Sequence, residues 1–159
     1  MVKTVEGCLY SRMPILIRPA SPDDVPALLV LYRELHPDDP LPSAATALDA
    51  WRAIEAQAGR TVLVAESAGV VIGTIDCAIL PNLTRGARPF MLVENVVVTA
   101  GQRRTGVGAA LMEAAVGLAR RAGCYKIQLL SRAGRQAAHV FYESCGLRAV
   151  AQGYRLYLT

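Results

Sequence analysis

The stretch that most constrains this chain runs from Met91 to Ala122, MLVENVVVTAGQRRTGVGAALMEAAVGLARRA. Met91 to Thr99 is an apolar, β-branched run broken only by Glu94 and Asn95, and it reads as a strand. Ala100 to Gly108 is a short basic turn punctuated by glycine, and an alanine-rich amphipathic segment follows it. In that order, a strand delivers the chain to a helix N-terminus, where unpaired N–H groups and the positive end of a dipole favour an anion. Gly106 and Gly108 remove side chains where the backbone would approach a ligand. Arg103 and Arg104 bring cations to the same edge. The stretch is the candidate site for a phosphate-bearing cofactor, although a glycine-rich helix entry that binds nothing has the same pattern. A dinucleotide fingerprint needs a third glycine, but Leu111 stands at that position and no acidic residue closes a strand about 20 residues on. A Gly-Lys-Ser/Thr phosphate loop is absent as well.

The 159 residues suit one domain with a core of its own, and 53% hydrophobic against 19% charged residues argues for a compact fold. No apolar run approaches the roughly 20 residues that span a bilayer, and the start, MVKTVEGCLYSRM, lacks a continuous apolar signal region. A cytoplasmic protein with no membrane partner is expected. The four cysteines, Cys8, Cys77, Cys124 and Cys145, show no CxxC or metal-ligand spacing, so they read as reduced and no metal is expected. A net charge of +4 invites a nucleic-acid reading. Yet the densest basic pair, Arg103 and Arg104, lies in the glycine turn and not along a stripe. Lys3 and Lys126 are the only lysines; the other basic residues are arginines, suited to bidentate phosphate contacts. A small phosphorylated ligand is favoured, with no nucleic-acid partner.

Along the chain, residues 1–12 show no periodicity and read as an N-terminal extension, with a single domain over 13–159. Ile15 to Arg18 reads as a strand. Ser21, Pro22, Asp23 and Asp24 form a helix start, and that helix stops near His36. Pro37 to Pro42 reads as an exposed loop. Ser43 to Ala58 is a second helix, and Thr61–Glu66 with Val70–Leu80 make a hairpin. After the opening stretch come a strand over Tyr125–Leu130, a helix over Arg135–Ser144, and two short closing strands over Leu147–Val150 and Tyr154–Leu158. Hairpins mixed with helical crossovers predict an α/β (α+β) fold: a mixed, mostly antiparallel sheet of six to seven strands flanked by about four helices.

Two linked segments carry a resemblance. Arg103-x-x-Gly106-x-Gly108 after a strand reading ENVVV resembles the acetyl-CoA-binding motif of the GNAT N-acetyltransferase family. Downstream, Arg135-x-x-Ala138-His139-x-Phe141-Tyr142-Glu143-Ser144-Cys145-Gly146-Leu147 resembles its second signature, with Leu147 in place of the usual aromatic. The family's common asparagine near this segment is replaced by Ser131, Arg132 and Arg135. The resemblance covers Ile15 to Leu158 and implies an acyl-CoA N-acyltransferase-like fold with acetyl-CoA as co-substrate. It also implies that pantetheine pairs with Val96, Val97 and Val98, and that pyrophosphate lies on the amides from Arg103 and Arg104 through Thr105, Gly106, Val107, Gly108 and Ala109. Arg135 and Ala138 complete the implied cofactor contacts, and a homodimer is a further expectation.

Acetyl transfer to an amine poses two proton problems. The ammonium (pKa about 10.4 for a lysine-like amine) must lose a proton, and the departing thiolate leaves better if it gains one. Tyr142 matches the family's tyrosine near the sulfur and is the candidate acid. Glu94 is the candidate base, because a carboxylate in an apolar strand is costly to bury unless a wet cleft receives it; Asp76 is the runner-up. By the resemblance the acceptor site is lined by the loop after the first helix, which makes Asp38 and Asp39 candidates for a small amine or a peptide, with Tyr32 of the helix as a further contributor. An acyltransferase using another acyl-CoA and a non-catalytic CoA-binding regulatory module are the alternatives.

Overall fold

A computed structural model of the protein describes residues 14–158. The extension expected over 1–12 lies outside them. Five strands form one sheet in the order β1 (Leu16–Pro19), β2 (Arg60–Ser67), β3 (Val70–Leu80), β4 (Phe90–Val98) and β5 (Ile127–Gln128). The first four pair antiparallel, and β5 pairs with β4 in parallel. Five helices accompany them: α1 (Val25–Leu35), α2 (Ala44–Ala56), the single turn α3 (Thr84–Ala87), α4 (Val107–Arg121) and α5 (Gln136–Ser144).

Each face of the sheet has its own core. Val107, Leu111, Met112, Ala115 and Ala119 fall on one stripe of α4 and pack on Leu63, Ile75, Met91 and Val93. On the other face Val25 and Leu28 of α1 and Ala47 and Trp51 of α2 cover Val62 and Val64. Truncating a fully buried residue such as Leu111 would cost about 2–5 kcal/mol. At the first turn of α1 the expected N-terminal signal is in place. Asp24 accepts from the Ser21 N–H at 2.8 Å and from both terminal nitrogens of Arg18 at 2.7 and 2.9 Å. The Arg18 hydrogen bonds hold the Asp24 carboxyl down at about 2.

The sheet is smaller than the sequence predicts. Neither Leu147–Val150 nor Tyr154–Leu158 is a strand, so five strands stand where six to seven are expected. The physical reason lies in β5, which pairs over two residues where the pattern suggests six, and so offers no long edge for further strands. Val150, Tyr154, Leu156 and Leu158 are each more than 80% exposed, without the one-sided burial that fixes a strand register. The extra helix relative to the expected four is α3, inside the Pro81–Pro89 connection, with Arg85 and Gly86 at φ 57° and 70°.

One irregularity in β4 positions everything that follows. The Met91 N–H bonds the Lys126 carbonyl on the β5 side, whereas the Thr99 N–H bonds Ile72 on the β3 side. Residues eight apart in an unbroken strand face the same neighbour. A β-bulge absorbs the difference: Glu94 to Val97 spans the register that Asp76 to Thr74 spans on β3, and Asn95 sits at φ 52°. Asparagine is among the few residues that tolerate this region. Beyond the bulge, Val96 and Val98 pack toward α4, as Met91 and Val93 do before it.

Candidate active site

Strands β4 and β5 are joined only at Met91–Ile127 and Leu92–Gln128, and then they part. Between them lies a cleft of about 200 Å³. Its walls are Val93, Glu94, Asn95 and Val96 of β4, Leu129 to Arg132 after β5, Leu35 and His36 at the end of α1, Arg135 and Tyr142, and Arg155 from the C-terminal segment. The two residues that the sequence singles out for proton transfer, on different elements and 48 positions apart, line the same cleft.

Glu94 is exposed and has no ion-pair partner among the described residues. Tyr142 is half-buried and packs against Phe141 at a centroid distance of 5.3 Å. Burial pushes its phenol above the ordinary range, Arg135 opposes this, and Glu94 adds to it. The phenol is therefore held in its protonated, donating form. Asp76 is directly opposite Glu94 in the β3–β4 register, yet its position differs in kind. It is 4% exposed and receives both Nε and Nη2 of Arg60, at 3.0 and 2.5 Å, and it does not line the cleft.

The turn before α4 keeps its expected shape with altered parts. Gly106 caps the helix at φ 97°, where a side chain would be strained. Ala110 makes the first bond back, to the Gly106 carbonyl at 3.0 Å, which leaves the Val107, Gly108 and Ala109 amides in the first turn. Thr105 donates to the Gln102 carbonyl at 2.7 Å and ties the turn together. Gly108 has a different reason to be glycine: a Cβ there would come within 3.1 Å of the Phe141 ring, so the residue lets α5 close on α4. Arg103 is not a mobile cation. Its Nε donates to the Val98 carbonyl at 3.0 Å and its Nη2 to Glu34 at 3.1 Å, while Glu34 also accepts from Thr99 Oγ1 and the Ala100 N–H. Arg104, exposed at φ 64°, is left facing solvent at this edge. Because Val98 spends its carbonyl on Arg103 and Val97 is turned to β3, the open edge of β4 consists chiefly of the bulge residues Asn95 and Val96.

Tyr32, Asp38 and Asp39 do not line the cleft. Tyr32 packs in the α1–α2 core, its phenol pushed up to about 12 by burial and by Asp76. Asp38 and Asp39 are exposed on the loop after α1 and do not reach the cleft lining, to which Leu35 and His36 of the same segment belong. Arg135 precedes α5, and Ala138 lies in that helix's first turn. Arg155 belongs to no motif, and nothing in the sequence marks it as a cleft residue. Asn95, by contrast, is visible as a polar residue that tolerates a left-handed backbone inside a valine run. Among the described residues no group of three or more His, Cys, Asp and Glu side chains is arranged to hold a metal, and no helix is long and apolar enough to cross a membrane.

The profile of the acetyltransferase (GNAT) family matches residues 26–147. A glucosamine 6-phosphate N-acetyltransferase of Trypanosoma brucei brucei is 36% identical over 88 residues, 55% of this chain and 58% of that protein. The alignment thus spans less than two thirds of that relative's length. A solved structure from Agrobacterium tumefaciens str. C58, provisionally named an acetyltransferase, is 39% identical with a TM-score of 0.87, covering 90% of this chain and 99% of that one. A Trypanosoma brucei acetyltransferase structure is 30% identical with a TM-score of 0.78, covering 91% and 100%.

Proposed function

Since this chain belongs to the acetyltransferase (GNAT) family, we propose that it moves an acetyl group from acetyl-CoA directly to a primary amine in the cleft between β4 and β5. The observation that carries the reading is the presence of Glu94 and Tyr142 in one cleft, at the place where the two strands part.

Pantetheine lies along the open edge of β4, where the bulge leaves the Val96 backbone without a β3 partner. The pyrophosphate rests on the Val107, Gly108 and Ala109 amides at the α4 N-terminus, with Arg104 as its cation. Arg103 acts on β4 itself, fixing its end against α1 through Val98 and Glu34. Arg135 and Ala138, at the start of α5, are assigned to the cofactor as well. The thioester carbonyl accepts a hydrogen bond from the strand amide beside Val97, that of Val96, which withdraws electrons from the carbonyl carbon. The neutral amine attacks that carbon. Its surplus proton passes to Glu94, directly or through one water, and the C–S bond breaks. The thiolate takes the Tyr142 proton, giving CoA-SH and the acetamide. Nothing covalent forms on the protein, so a ternary complex is required.

CoA should raise the melting temperature where NAD and short duplex DNA do not, and acetyl-CoA should release free thiol only when an acceptor amine is present. A CoA response without thiol release across amino sugars, amino acids, polyamines and peptide N-termini would leave a binding module in place of an enzyme.

A further inference from the structure

The cleft holds more positive charge than the proposed chemistry uses. Among the described residues, Arg132, Arg135 and Arg155 line it beside a single carboxylate, Glu94. None of the three belongs to an ion pair among the described residues, whereas Arg18, Arg52, Arg60 and Arg103 each have a carboxylate oxygen within 3.1 Å. Guanidinium stays charged at any working pH, and its fork matches the oxygens of a phosphate or carboxylate. The cofactor's pyrophosphate does not account for the excess, because no residue of the turn 103–109 lines the cleft. Arg135, at the start of α5, is already given to the cofactor. Arg132 and Arg155 remain.

These two converge. Arg155 donates Nη1 to the Tyr157 hydroxyl at 3.1 Å, and its guanidinium carbon stands 5.7 Å from the Tyr157 ring centroid. The Tyr157 phenol is held below its ordinary range mainly by that hydrogen bond, with Arg132 acting in the same direction. On the same wall the Ser131 Oγ is shielded from solvent and has no hydrogen-bond partner among the described residues. A shielded hydroxyl left unpaired is unfavourable, so a ligand oxygen at that place would be favoured. The cleft thus presents a carboxylate at one point and, at another, a spare hydroxyl with two guanidiniums that have no carboxylate partner among the described residues. That pattern complements a ligand with an ammonium and an anion, and it repels a polycation.

We propose that the acceptor is a small amine carrying an anionic group, phosphate or carboxylate, that is held by Arg155 and Arg132 with Ser131 as a further donor while the amine lies at Glu94. Resting on the acetyl transfer proposed above, this assigns the acceptor class and makes Arg155 a specificity-determining residue.

The test compares matched acceptors by thiol release from acetyl-CoA: glucosamine against glucosamine 6-phosphate, alanine against alaninamide, and spermidine. The anionic member of at least one pair should have a kcat/KM roughly tenfold or more above its neutral counterpart, and spermidine should be poor. Which pair shows the preference identifies the anion. Arg155→Gln should cut that ratio about tenfold, Arg155→Lys should retain part of it, and the KM for acetyl-CoA should stay constant in both. Equal use of neutral and anionic acceptors by the wild type would overturn the inference alone. So would an Arg155→Gln protein whose acetyl-CoA KM rises while the ratio holds, because the arginine would then serve the cofactor. No thiol release with any of the five amines would overturn the acetyltransferase reading and this inference with it.

Discussion

The protein contains two tyrosine–carboxylate couples, one on each side of the β3–β4 ladder, and they differ in almost every physical respect. Tyr32 and Asp76 lie in the sealed region beneath α1. There the carboxylate is 4% exposed and locked to Arg60, and burial and Asp76 together push the phenol up to about 12. Tyr142 and Glu94 lie in the open region where β5 leaves β4, and their carboxylate is exposed and has no ion-pair partner among the described residues. Asp76 and Glu94 are direct cross-strand neighbours. What separates them is which flank of their own strand is covered. A buried carboxylate must be fully bonded to exist as an ion, and once bonded it has no capacity left for a substrate proton. Glu94 keeps that capacity because the cleft admits water.

Substitution at the open couple should have the largest effect. Tyr142→Phe should lower kcat about 100-fold with the acetyl-CoA KM nearly unchanged. Unaltered turnover would remove the distinction between the two phenols. Tyr32→Phe should do the reverse, leaving kcat within about twofold and costing about 1 kcal/mol in denaturant unfolding.

Among the carboxylates, Asp76→Asn should destabilise the fold by about 2 kcal/mol, since it leaves Arg60 without its counter-ion. Glu94→Gln should change stability by less than about 0.5 kcal/mol and remove the limb of the kcat/KM–pH profile that a carboxylate base imposes. An unshifted profile would hand the proton to water.

The sealed side has a second bonded carboxylate in Asp24, which sharpens the pH dependence of stability. Its folded value of about 2 lies below the 3.8 of an ordinary aspartate. The unfolded chain therefore binds more protons between those values, so stability is fully present above about 4 and lost as the pH falls toward 2. The loss should reach about 2 kcal/mol in acid titrations followed by circular dichroism, and Asp24→Asn should abolish it.

Much of the site is legible in the sequence because local chemistry writes it there. The glycine at 106 is demanded by its own φ, the helix that follows by its apolar stripe, and the Tyr142 segment by its linked pattern. Gly108 shows the limit of that legibility. It reads as clearance for a ligand, and its immediate neighbour is the Phe141 ring, which only the packing of α5 on α4 brings there. Arg103 reads as a free cation and is bound to Val98 and Glu34, the latter 69 positions away. Tyr32 reads as an acceptor-site candidate, and its ring packs against the α1–α2 core. The closing strands fail for a related reason: pairing depends on the edge offered by β5, and local pattern carries no information about a partner's length.

Local sequence pattern identifies the family, the strand–turn–helix unit and the two candidate proton carriers. These rest on short-range rules of dihedral preference, helical period and capping. Long-range packing sets the rest: the bulge in β4, the edge that opens after Leu92, the sealing of Asp76 but not Glu94, and the meeting of Arg155 with Arg132 in the cleft. Each of these depends on which surfaces of distant segments meet, and burial, pairing and the strength of a charge are set by that meeting.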